Sequence, residues 1–171
     1  ISGSSWDSTD PNIPSPESFF RNLLYGQEFF KKEFGKKSND IFLPDCFGFG
    51  YTLPTIAAHS GIIGFSTQKL QHRKLPFYGD HKLPFMFGLW EGIDGARIMA
   101  VPHAQDYVSR FDGQELSNNG KLVDLAKNGL NNTVYHYYGA GDRGGSPTIA
   151  SVRSVETGMK GEGPVQIISA R

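Results

Sequence analysis

Ile41-Phe42-Leu43-Pro44-Asp45-Cys46-Phe47-Gly48-Phe49-Gly50 is the stretch on which the fold turns. Ile41 to Pro44 form a short apolar run bounded by turn formers, the pattern of a buried strand. That run empties into the Asp-Cys-Phe-Gly-Phe-Gly segment. Downstream, Leu53 to Ser60 reads as a helix closed by Gly61, and Ile62-Ile63-Gly64-Phe65-Ser66 as a second strand. Strand, helix and strand in this order predict a parallel α/β architecture. In such folds the residues just beyond strand C-termini build the active face, so Asp45 is expected to stand on it.

Working outward, residues 1–14 are polar and punctuated by Pro11 and Pro14, and predict loop. Ser15-Pro16-Glu17 then supplies a hydroxyl cap, a proline at the first helical position and a carboxylate at the positive end of the helix dipole. Phe19, Phe20, Leu23, Leu24, Gln27, Phe30 and Phe34 recur at helical spacing up to Gly35, which predicts a helix over 16–34 with an aromatic stripe packed in the core. On the other side, residues 71–84 carry Pro76, Gly79, Pro84 and several basic side chains and predict a surface excursion. Phe85 to Trp90 and Ala96 to Val101 flank an Asp94-Gly95 turn, a hairpin signal. Ser117 to Leu130 predicts a helix, Thr133 to Tyr138 a strand, and Pro147 to Gly158 a partly helical segment.

Composition limits the partners. The chain has 171 residues, with 17 Lys+Arg balanced by 17 Asp+Glu and a sequence pI near 7.1. Nucleic acid or an anionic membrane as main partner would require a basic excess, and no apolar run approaches the roughly 20 residues of a membrane span. Cys46 is the sole cysteine, which excludes an internal disulfide and a cysteine-rich zinc site. Gly at 21 and Pro at 10 point to many tight connections, and 13 Phe with 7 Tyr suit either a dense core or a sugar-binding cleft.

Two aspartates stand out, Asp45 and Asp142, each expected just past a strand and each among glycines. Glycine lets backbone approach a ligand, and two carboxylates flanking one bond are what glycoside hydrolysis requires. An Asp beside Gly is also an ordinary turn pair. The Gly139–Gly145 run lacks the Lys-Ser/Thr of a phosphate loop and the spacing of a dinucleotide loop. His59, His72, His81, His103 and His136 include no pair at metal-ligand spacing, and His103, after Pro102 at a strand end, is the one histidine with a cleft position. Cys46 has no identifiable base, so cysteine catalysis is a poor fit.

Asp10-Pro11-Asn12-Ile13-Pro14-Ser15-Pro16-Glu17-Ser18, Leu43-Pro44-Asp45-Cys46-Phe47-Gly48, Phe65-Ser66-Thr67-Gln68-Lys69-Leu70, Trp90-Glu91-Gly92-Ile93-Asp94-Gly95 and Gly141-Asp142-Arg143-Gly144-Gly145-Ser146-Pro147-Thr148 follow one another in order. Over about 10–150 this set resembles the catalytic domain of glycoside hydrolase family 38 α-mannosidases in their bacterial form. The resemblance implies part of a seven-stranded β/α barrel with mostly parallel strands, incomplete here. It implies a retaining mechanism on α-linked mannosides with zinc in the sugar site. Asp45 resembles the nucleophile that also touches the metal, and Phe47 the aromatic that stacks on mannose. Asp142 resembles the acid/base, in a glycine-rich run altered by Arg143 and Ser146.

The family's His-x-Asp motif and a later histidine ligand are not identifiable, so the zinc shell is incomplete in this chain. Ile1 stands where a Met would open a complete protein. Residues 1–171 are thus expected to be one barrel segment truncated at both ends, inactive alone and open to self-association through exposed strand edges. Two alternatives remain open: a non-catalytic carbohydrate-binding or structural module, and a related metal-dependent polysaccharide deacetylase. Localisation stays undetermined; the substrate class favours periplasm or the cell exterior over cytoplasm.

Overall fold

The computed structural model describes residues 1–70, 73–75, 79–81 and 85–169. They fall into two compact units, Ile1–Pro84 with Gly88–His103, and Phe85–Phe87 with Ala104–Arg171.

The first unit opens with an ordered, irregular segment followed by α1 (Pro16–Phe34). Ser15 Oγ accepts the Ser18 N–H at the start, and Gly35, left-handed at φ 69°, donates back to the Lys31 carbonyl at the end. The helix boundaries match the sequence pattern, but only part of the expected stripe, Phe19, Leu23 and Gln27, is core. Its buried positions are Phe19, Leu23, Gly26 and Gln27, while Leu24, Tyr25, Phe29 and Phe34 are exposed. Small and polar residues share the packing with Phe19 and Leu23. A Cβ on Gly26 would stand 2.2 Å from the Ser4 carbonyl oxygen, so glycine lets the Ser4–Trp6 backbone lie on the helix. The Gln27 amide donates to Ser38 O at 2.7 Å and accepts from Ser38 N at 2.9 Å, which satisfies it in the interior. Trp6, Phe29, Phe30 and Phe34 instead pack ring against ring on the outside. Among the described residues the buried aromatics are Phe19, Phe65 and Phe111, with Phe49 and Trp90 packed on Phe65 and Tyr138 on Phe111.

The sheet contains β1 (Asp40–Phe42), β2 (Gly64–Ser66), β5 (Gly88–Glu91) and β6 (Arg97–Val101) in the order β1-β2-β6-β5, with α2 (Leu53–His59) connecting the first two. β1, β2 and β6 are mutually parallel, and β5 is antiparallel to β6. The predicted strand–helix–strand unit and the Asp94-Gly95 hairpin are therefore both present. Ile41, Phe65, Ala100 and Gly88 lie opposite one another across the sheet and all are buried. Burying a side chain the size of Ile41 stabilises by about 1.5–3 kcal/mol. α2 covers β5 and β6 with Leu53, Ile56 and Ala57 buried. These four strands form a mostly parallel sheet that does not close. Most of the expected excursion at 71–84, His72 and the His81 side chain lie outside the described residues; β3 (Arg73–Leu75) and β4 (Gly79–His81) pair there as an antiparallel hairpin.

The second unit holds α3 (Gly120–Lys127) and α4 (Ile149–Gly158). Phe111, Leu116 and Leu122 form its core with Leu125, Tyr138, Val155, Val165 and Ile167 against them. Asn119 Oδ1 caps α3 through Leu122 N, and Thr148 Oγ1 caps α4 through Ser151 N. The Ser151 and Thr148 hydroxyls both donate to Asp112, which holds that carboxyl below the usual range.

The strand expected over Thr133–Tyr138 is not formed. Tyr137 N donates to Ala104 O at 2.8 Å and Gly139 N to Ser109 O at 2.9 Å. One chain advances two residues while its neighbour advances five, because the neighbour turns over Asp106–Ser109. No ladder register survives that mismatch. β-branched and aromatic composition was a guide to partial burial here, not to pairing.

Candidate functional site

Strand register places the first group of side chains. Phe42 lies opposite Ser66, and Ser66 opposite Val101, at the C-terminal ends of three parallel strands. Leu43 N to Ser66 O (3.1 Å) and Thr67 N to Val101 O (3.0 Å) carry the pairing one step further. Residues equally far beyond these ends are therefore neighbours, since paired strands run about 4.8 Å apart. Asp45 is three past Phe42 and Lys69 three past Ser66, and Lys69 Nζ stands 2.5 Å from Asp45 Oδ1.

Lys69 is anchored from below. Thr67 is wholly buried, and its hydroxyl accepts the Lys69 N–H at 3.3 Å. The ammonium also sits 5.2 Å from the centre of the Phe47 ring, whose residue is 84% exposed. His103, two past Val101, places Nδ1 3.2 Å from the carbonyl of Gln68, two past Ser66. The sequence-based position of His103 at a strand end is correct, and its described partner is backbone. Cys46 Sγ reaches Thr9 O at 3.5 Å, and burial, with Asp10 and Asp45 adding negative charge, pushes its thiol up and away from nucleophilic use.

Asp45, Phe47 and Lys69 thus converge on one edge: a carboxylate held by an ammonium beside an exposed aromatic face. Such a set suits a polyhydroxylated ring, which offers hydroxyls to the charges and an apolar face to the phenyl. Lys69 was visible in the sequence but carried no assigned role. The signal for it was the equal offset of Asp45 and Lys69 from their strands, which becomes readable once the register is known.

Asp142 belongs to the second unit and sits on the Gly139–Gly145 loop, preceded by irregular chain outside any strand ladder instead of the expected strand. Asp142 itself has φ 61°, Gly144 61° and Gly145 139°, so the loop is built from left-handed turns. The Tyr107 hydroxyl donates to Asp142 Oδ1 at 2.5 Å. Asp45 and Asp142 lie in different units.

Among the described residues no group of three or more His, Cys, Asp or Glu is placed to hold a metal. Asp45 Oδ1 faces an ammonium, whereas zinc is held by about four ligands in tetrahedral array. The described residues do not by themselves fit zinc. Among them, no helix is long and apolar enough to cross a membrane.

Comparison with known proteins adds an independent line. The family described as glycosyl hydrolases family 38 N-terminal domain matches residues 1–170. Alpha-mannosidase G of Dictyostelium discoideum is 44% identical over 154 residues, 88% of this chain and 13% of that protein. Alpha-mannosidase 2C1 of Homo sapiens is 37% identical over 150 residues, 85% of this chain and 14% of the other. The alpha-mannosidase of Saccharomyces cerevisiae is 37% identical over 153 residues, again 85% of this chain and 13% of its own. The chain therefore spans 13–14% of the length of these relatives. These relatives are eukaryotic, and the bacterial form suggested by the motif set draws no support from them. In fold, a crystal structure of an alpha-mannosidase from Enterococcus faecalis V583 matches with a TM-score of 0.66 at 18% identity, covering 92% of this chain and 18% of that one.

Proposed function

The chain belongs to glycosyl hydrolase family 38, and from that premise we propose that it supplies the reacting carboxylates of a retaining α-mannosidase. The observation that carries the reading is the Lys69–Asp45 pair beside Phe47 at the C-terminal edge of the parallel strands. Phe47 stacks on the sugar ring, and Asp45 attacks the anomeric carbon. The bond from that carbon to the leaving oxygen breaks as Asp142 protonates the oxygen. In the second step water attacks the same carbon, Asp142 takes its proton, and the bond to Asp45 breaks. Two inversions give net retention. Lys69 keeps the carboxylate aimed between turnovers.

In this reading the four-stranded sheet is one part of a seven-stranded β/α barrel. β1 and β5 are the outer strands of that sheet, and the isolated chain is proposed to be inactive and prone to self-association through strand edges. Zinc enters the proposal only through Asp45. One carboxylate already paired with an ammonium is not a zinc site, and no step here is routed through metal.

The test is hydrolysis of an aryl α-mannoside by the complete polypeptide that carries this chain, with the product anomer followed by NMR. An α-anomer formed first, and lost in Asp45→Asn, is the expected result. A β-anomer formed first overturns retention. Sugar affinity without hydrolysis in the unsubstituted protein favours the non-catalytic module.

A further inference from the structure

The loop that bears Asp142 is tied to the 106–109 turn at three points. Gly139 N donates to Ser109 O at 2.9 Å, Tyr107 Oη donates to Asp142 Oδ1 at 2.5 Å, and the Tyr107 ring lies on Gly141. The last contact is so close that a Cβ on Gly141 would stand 1.5 Å from a ring carbon of Tyr107. Glycine is required there for the ring to reach across the loop. Tyr107 is set in turn by Asp106, whose Oδ1 accepts Val108 N at 2.8 Å and whose carbonyl accepts Ser109 N at 3.1 Å.

A carboxyl group on a loop of left-handed turns has little to fix its rotamer. Proton transfer to a leaving oxygen needs a heavy-atom separation of roughly 2.6–3.2 Å, so aim matters. The geometry points to Tyr107 as the positioning residue for Asp142: its phenol holds Oδ1 and leaves Oδ2 as the oxygen that carries the proton to and from the glycosidic bond. This rests on the proposed acid/base role of Asp142. Tyr107 touches no reacting atom and acts through the carboxylate.

The experiment compares two substrates in the complete polypeptide that carries this chain. 2,4-Dinitrophenyl α-mannoside has a leaving group that departs without a proton, whereas a methyl α-mannoside needs one. Asp142→Ala should lose about 10²–10⁴-fold in kcat/KM on the methyl glycoside and far less on the activated one. Tyr107→Phe should shift the ratio of the two kcat/KM values in the same direction, by about tenfold or more, since an aimed acid is worth most where the proton is needed. Gly141→Ala, which displaces the ring while keeping the phenol, should reproduce that shift.

The ratio is insensitive to how much protein is folded, so a less stable variant still answers the question. If Asp142→Ala leaves the ratio unchanged, the acid/base reading of Asp142 fails. If Asp142→Ala shifts the ratio and Tyr107→Phe does not, the acid/base reading stands and the role of Tyr107 is overturned.

Discussion

Lys69 Nζ lies 2.5 Å from Asp45 Oδ1 because Phe42 and Ser66 share a register position and each side chain follows its strand end by three residues. The pair joins two loops of adjacent parallel strands. Asp45 is 59% exposed at its side chain, and an ion pair in that setting contributes about 0–1 kcal/mol to folding. Its value lies in aim. Lys69→Met should leave the thermal midpoint nearly unchanged and lower kcat/KM for an aryl α-mannoside by about 10²-fold, the scale of losing one preorganised electrostatic contact. Lys69→Arg should recover part of the loss. Activity within about threefold of the unsubstituted protein would mark the pair as a surface contact with no part in the reaction.

Phe47 provides a separate handle. It is 84% exposed, so its removal costs the fold little, yet its ring lies next to the paired carboxylate. Phe47→Ala should raise KM for the mannoside about tenfold, equivalent to about 1.4 kcal/mol of binding. Phe47→Tyr should restore most of it. A change confined to kcat would contradict stacking in the ground state.

Gly26 reverses an ordinary expectation. Gly→Ala inside a helix usually stabilises by about 0.5–1 kcal/mol. At Gly26 the new Cβ would meet Ser4 O at 2.2 Å, Ser5 C at 2.5 Å and Trp6 N at 2.5 Å, all backbone atoms that have no rotamer to escape into. The N-terminal segment would have to lift, breaking Trp6 N to Asn22 O and the Gln27 to Ser4 contact. Gly26→Ala should destabilise by about 1–3 kcal/mol and expose the first residues to proteolysis. Gly120→Ala, with nothing within 4 Å of its Cβ, is the control and should be neutral or better.

Much of this was legible in the sequence, for a reason that separates local from non-local information. Ser15 and Gly35 specify α1 through bonds to residues three or four positions away, Pro16 through its fixed φ at the first helical position, and the helix ends where they say. The order of β1, α2 and β2 and the hairpin between β5 and β6 follow from short-range pattern in the same way. What escaped depends on partners far along the chain. Thr133–Tyr138 has strand composition, but the turn at Asp106–Ser109 denies it a register. The later α1 aromatics have core composition, but Phe29 and Phe34 stay outside while Gly26 and Gln27 join Phe19 and Leu23 on the buried face, because the Ser4–Trp6 backbone and Ser38 lie there. Among the candidate site residues, Asp45 was singled out by its expected strand-end position and Phe47 only through the family resemblance. The Lys69–Asp45 and Tyr107–Asp142 contacts, one in each unit, were not legible, since they are made across 24 and 35 residues of sequence.

Asp94 illustrates a contact of that kind with a pH signature. It was read as the polar half of an Asp-Gly turn, and the turn forms. Its carboxylate also accepts from Thr55 Oγ1 at 2.7 Å, meets His59 Nε2 at 2.7 Å and accepts Ala96 N at 3.2 Å, clamping the hairpin tip to α2. The Thr55 hydroxyl first and then His59 hold the Asp94 carboxyl down at about 2, against the opposing effect of burial. A carboxyl depressed in the folded state binds its proton more readily when unfolded. Its stabilisation is complete above about pH 4 and is lost as pH falls from there through about 2. Chemical denaturation at pH 6, 4 and 2.5 should therefore show the unsubstituted protein losing more stability than Asp94→Asn across that range, with the two curves converging at the acid end. His59→Ala should remove part of the difference and Thr55→Val a larger part, following the order of their effects on the carboxyl. Parallel curves for all three variants would show that the clamp is not electrostatic and that the hairpin is held by the turn alone.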